Sequence, residues 1–92
     1  MSTEELTAFL AVFFDHYMAR GRSVPPEIHP LNVLRETGKK SPKKAEIGLR
    51  MAVTDCLEMS LPWTSSQVAE ADRVLDSNGV ITLSALRHRF RR

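Results

Sequence analysis

Apolar residues recur along this chain at steps of three and four, and four stretches hold that rhythm long enough to predict helices. The first is Leu6, Phe9, Leu10, Phe13, Phe14 and Tyr17. The second groups Ala45, Leu49, Ala52, Val53, Cys56 and Met59 on one arc, with Leu57 at its edge. Val68, Ala71, Val74 and Leu75 form the third, and Leu83, Leu86 and Phe90 the fourth. The pattern predicts an all-α fold, a small helical bundle in a single domain spanning residues 1–92. Three longer helices fall at about 3–19, 42–59 and 65–77, with a short basic C-terminal helix at about 83–91. Residues 20–41 read as an irregular, proline-containing connection with a short helix near 30–37.

Local signals mark where these helices begin and end. Ser2 with Glu5, and Thr64 with Gln67, have the spacing of capping boxes, in which each pair satisfies two free N–H groups at a helix start. Ser41 precedes Pro42, whose missing N–H costs nothing at a first helical position. Thr82 caps the last helix. Trp63 with Val68, and Ile81 with Leu86, are spaced as hydrophobic staples. Gly21, Gly38 and Asn78-Gly79 read as helix stops. Pro25, Pro26 and Pro30 hold the segment before the second helix extended.

The helix over 42–59 is the organising stretch. Glu46, Arg50, Thr54 and Glu58 run along its polar side, but Ile47 and Met51 interrupt it four residues apart. One reading makes this a central helix touching neighbours on two sides. The other makes Ile47 and Met51 an exposed ridge that docks a protein partner or a second copy.

Composition narrows the class. The chain has 92 residues, 42% of them hydrophobic, enough for one modest core without staples. A single cysteine, Cys56, permits no internal disulfide; on the apolar arc it reads as a small buried side chain. The aromatic stripe of the first helix reads as core, with His16 partly buried at its border, and Trp63 as a packing residue. Glu4 and Glu5 replace the basic start of a secretory signal, and the apolar run Ala8–Phe14 is too short to span a bilayer. A cytoplasmic protein is expected.

Charge changes the picture more than composition does. Acidic and basic blocks alternate through 1–38, 39–50, 51–76 and 77–92. Lys39, Lys40, Lys43 and Lys44 crowd the predicted start of the second long helix, where the helix dipole disfavours positive charge. Arg87, Arg89, Arg91 and Arg92 occupy the polar face of the last helix. Both groups are candidate anion or nucleic-acid contacts. Ser41-Pro42-Lys43-Lys44 resembles the minor-groove-binding repeats of linker-histone tails over four residues, although its position matches a helix cap.

Catalytic and metal motifs are lacking: there is no phosphate-binding glycine loop, paired-cysteine motif or helical His-Glu-x-x-His. Asp76 to Ile81 has the look of a calcium loop, but its first and twelfth positions would be Val74 and Ala85, which carry no carboxylate. No enzyme activity, cofactor or metal is expected. The leading expectation is a protein-interaction or regulatory module that docks a partner or self-associates. The alternative is a nucleic-acid binder using 39–44 and 87–92, with residues 65–91 as a helix-turn-helix-like unit.

Overall fold

The computed structural model describes residues 2–19 and 23–90. Five α-helices make up the fold: α1 (Thr3–Phe13), α2 (Pro30–Lys40), α3 (Pro42–Met59), α4 (Ser65–Ser77) and α5 (Leu83–Arg89). No strand occurs among the described residues, and the all-α architecture is as the apolar spacing predicts.

The caps form as their sequences require. Side-chain oxygens of Ser2, Ser41, Thr64 and Thr82 each accept the backbone N–H three residues on. At Thr64 the box closes in both directions, since the Gln67 amide oxygen accepts the Thr64 N–H at 2.8 Å. At Ser2 only half of it forms, because the Glu5 carboxylate reaches instead to Arg89 at 2.9 Å. α4 ends in a Schellman motif. Gly79 sits at φ +68°, the left-handed conformation glycine adopts at no steric cost. The N–H groups of Gly79 and Val80 donate back to the Asp76 and Leu75 carbonyls.

The core is built from one face of each of α1, α3, α4 and α5. Leu6, Phe9, Leu10 and Phe13 meet Leu49, Val53, Cys56 and Leu57, closed by Ala71, Leu75, Leu83 and Leu86. Phe13 anchors an aromatic stack, with its ring centroid 5.1 Å from Tyr17 and 5.8 Å from Trp63. Burial raises the Tyr17 hydroxyl pKa, and the Glu70 carboxylate adds to the shift. Trp63 is thus a packing residue, placed by its position just before the Thr64 cap.

Several details depart from the sequence pattern. The first helix does not remain α-helical to residue 19: Phe14–Met18 form a π-helical turn, closed by the Ala19 N–H donating to the Phe14 carbonyl at 2.8 Å. Phe14 leaves the core stripe and packs on His29, their centroids 4.9 Å apart. His16, expected to be partly buried, is exposed. The cap assigned to Gly21 lies outside the described residues.

The connection before α3 is more ordered than its prolines suggest. α2 is a full eleven-residue helix rather than a short one near 30–37, and it runs through Gly38. His29 caps it, its Nδ1 accepting the Leu31 N–H while its Nε2 lies 3.3 Å from Asp15. α2 and α3 form an antiparallel hairpin in which Gly38 faces Ala45 and Leu34 faces Gly48. A Cβ at Gly48 would stand 2.8 Å from the Leu34 Cδ2, so the bare glycine leaves room for the Leu34 side chain against α3. In this register the first residue of α2 falls about level with Ala52, so α2 does not extend to Met59, which is exposed although it shares the apolar arc.

Candidate functional site

Within α3, spacing decides which side meets the core. Leu49, Val53, Cys56 and Leu57 are buried with Ala52 packed beside them, and Ala45 and Gly48 lie toward α2. Ile47 and Met51 fall on the remaining side, where no other element covers them: they are 58% and 62% exposed. The exposed Leu61 lies beyond the end of the helix, and Thr54 continues the ridge three residues after Met51, a step of four followed by a step of three. This is the seam spacing of paired helices.

The ridge borders one depression, and a second lies further along the helix. Ile47, Arg50, Met51, Thr54 and Asp55 line a shallow one of about 360 Å³. Thr54 also borders a larger groove of about 790 Å³ between α3 and α5, where Leu57, Leu61, Arg87 and Phe90 are among the lining residues. The Thr54 hydroxyl donates to the Arg50 carbonyl at 2.8 Å, so its hydrogen-bonding need is met within the helix. On one flank Arg50 pairs with Glu46 at 3.5 Å. Lys44, Asp55 and Glu58 are exposed and make no ion pair among the described residues.

The basic residues fall into two separate groups. Lys39 and Lys40 do not crowd the start of α3; they close the last turn of α2, where positive charge suits the helix dipole. Lys39 pairs with Glu36 at 3.0 Å. Only Lys43 and Lys44 stand in the first turn of α3, and both are exposed. α5 does not contact α2, which carries Lys39 and Lys40, and its Arg87 meets α3 at Ser60, the opposite end from Lys43 and Lys44.

Arg87 is not on the solvent face where the sequence pattern puts it. Its guanidinium is partly buried and donates to the Ser60 carbonyl and, at 3.0 Å, to the Ser60 hydroxyl. Ser60 is fully buried at the end of α3, so Arg87 satisfies a helix C-terminus with a positive charge. Arg89 is tied to Glu5. Arg91 and Arg92 lie outside the described residues. Asp72 accepts both the backbone N–H and the hydroxyl of Ser84, fixing the start of α5 to α4. Neither Arg87–Ser60 nor Asp72–Ser84 has a short-range sequence signature, because the partners are 27 and 12 residues apart.

The nucleophilic and titratable side chains of the described residues are placed as follows. Burial, reinforced by Asp55, pushes the Cys56 thiol up to about 11, so it is protonated at neutral pH. His29 is held by Asp15 and the start of α2, while His88 borders the groove beside α5. Among the described residues, no three His, Cys, Asp or Glu side chains converge as metal ligands would, and no helix is long and apolar enough to cross a membrane. The chain matches no protein-family model, and no curated protein or solved structure is significantly similar to it.

Proposed function

We propose that this protein is a non-catalytic helical docking module, cytoplasmic in setting, that binds a protein partner through the outer ridge of α3. The observation that carries this reading is the exposure of Ile47 and Met51 on a helix whose opposite side already completes the core. Two large apolar side chains one turn apart, continued toward a groove, are what a partner helix needs as anchors. The Cys56 thiol is buried in the core, where it packs rather than presents a nucleophile.

The test is the double variant Ile47→Glu/Met51→Lys, combined with a photo-crosslinker placed at position 51 of the wild type. The variant is expected to keep its helical circular dichroism and melting temperature and to compete poorly for the crosslinked species. A crosslinker at the equally exposed Ile28 serves as control. Unfolding of the variant would make the ridge part of the core and end the proposal.

A second reading is favoured by a different observation. Lys40, Lys43 and Lys44 are exposed around the α2–α3 joint within five residues, a charge density suited to nucleic-acid phosphates. The inward turn of Arg87 and the Ser84–Asp72 bond leave α5 less suited to reading bases. Anisotropy of labelled duplex DNA at two salt concentrations tests this. Replacing the three lysines with Gln is expected to flatten the salt dependence, whereas no binding at low salt removes the reading.

A further inference from the structure

We infer that the partner of the α3 ridge is a second copy of this chain, docked antiparallel so that Ile47 and Met51 of each copy meet around a two-fold axis. The inference rests on the docking reading above and names the occupant of that surface.

The charges beside the ridge carry it. They are of opposite sign at its two ends, with Lys43 and Lys44 toward the start of α3 and Asp55 and Glu58 toward its end. None of the four has an ion-pair partner among the described residues, whereas Glu46, Arg50, Lys39 and Arg89 all do. Taking the midpoint between Ile47 and Met51 as the axis, Lys44 lies about 7.5 Å to one side and Asp55 about 9 Å to the other, at 1.5 Å rise per residue. Antiparallel pairing therefore brings Lys44 level with Asp55 of the partner subunit, with Glu58 of the partner subunit one turn further along. The two-fold axis makes the same contact twice. Parallel pairing would instead set lysine against lysine and carboxylate against carboxylate.

Other features agree with this orientation. Antiparallel α3 helices oppose their dipoles favourably. The Glu46–Arg50 pair is already internally neutral, so it adds no net charge to the flank. Thr54, next along the seam after Met51, has its hydroxyl engaged by Arg50 and carries no unmet donor into the contact. A single-helix contact falls at the small end of specific interfaces, so the dimer is weak and its population depends on concentration.

Charge reversal tests this without endangering the fold. Lys43→Glu/Lys44→Glu places acid at a helix start and Asp55→Lys/Glu58→Lys places base near its end, and both changes suit the helix dipole. Sedimentation velocity of the wild-type chain over a range of concentrations is expected to show a monomer–dimer equilibrium. Each reversed variant alone should self-associate roughly tenfold more weakly, and the chain carrying all four changes should recover the wild-type equilibrium. A one-to-one mixture of the two reversed variants should form the heterodimer. A wild type that stays monomeric at every concentration overturns the proposal, as does a dimer indifferent to the reversals. The docking reading fails by a separate result, unfolding of Ile47→Glu/Met51→Lys. A folded ridge variant with a monomeric wild type would therefore remove the second copy as partner and leave the docking surface.

Discussion

On the two sides of α3, apolar side chains of the same kind meet opposite fates. Leu49 and Met51 are two residues apart and similar in size and hydrophobicity, yet Leu49 is 4% exposed and Met51 62%. What separates them is the neighbourhood that helical rotation assigns to each. Leu49 turns toward α1 and the shared core, where close packing makes each methylene matter. Met51 turns toward solvent beside Ile47, Arg50 and Asp55. The inner side holds the fold together, and the outer side is available for something else.

The largest expected effect tests the inner side. Leu49→Ala should destabilise the protein by about 2–5 kcal/mol in chemical denaturation, through lost burial and the cavity left behind. A much smaller loss would mean that α3 is less tightly packed on its inner side than its burial implies.

The tie at the end of α3 comes next. Arg87→Met should cost about 1–3 kcal/mol, because it removes charged hydrogen bonds from buried Ser60. Arg89→Met should cost under about 1 kcal/mol, since its pair with Glu5 is exposed. Equal losses would contradict the distinction between an internal and a surface arginine.

Cys56 sharpens the comparison through pH. Its thiol is raised from 9.0 to about 11 in the folded protein, so the unfolded state releases its proton first. The stability it contributes is fully present below pH 9 and is lost as pH rises through about 11, on the order of 1–2 kcal/mol. Denaturant midpoints across that window should fall less steeply in Cys56→Ala than in the wild type. Parallel slopes would show that Cys56 is better solvated than its inward position implies.

The smallest effect belongs to the ridge. Ile47→Ala and Met51→Ala should each change monomer stability by less than about 0.5 kcal/mol, as measured at concentrations where association is negligible. A loss comparable to that of Leu49→Ala would erase the difference between the two sides.

What could be read from the sequence follows the range of the interaction. Caps at Ser2, Ser41, Thr64 and Thr82 involve partners three residues away, so their residue types announce them. The same holds for the Asn78-Gly79 stop, whose bonds close within the next turn. α2 is longer than its pattern suggests because Gly38, a stop by local rules, is held in the helix beside Ala45. The Arg87–Ser60 and Arg89–Glu5 ties join residues 27 and 84 apart and carry no local signal. For the ridge, periodicity puts Ile47 and Met51 on the side away from the core arc. Only the placement of the other helices shows that this side is uncovered.

The single-residue joint at Ser41 constrains how this chain can change in length. Ser41 donates its N–H back to Thr37 in α2 and accepts from Ala45 and Lys44 in α3, so it belongs to both helices at once. An inserted residue there would turn one helix by about 100° against the other and move Leu34 off Gly48. The turn at 26–28 is bonded within itself and to the start of α2, where the Asn32 amide donates to the Pro26 carbonyl, and it joins no two helices in register. Insertions should therefore accumulate in the segment before α2 and be purged at Ser41, making the hairpin a length-invariant block in any lineage that retains this fold.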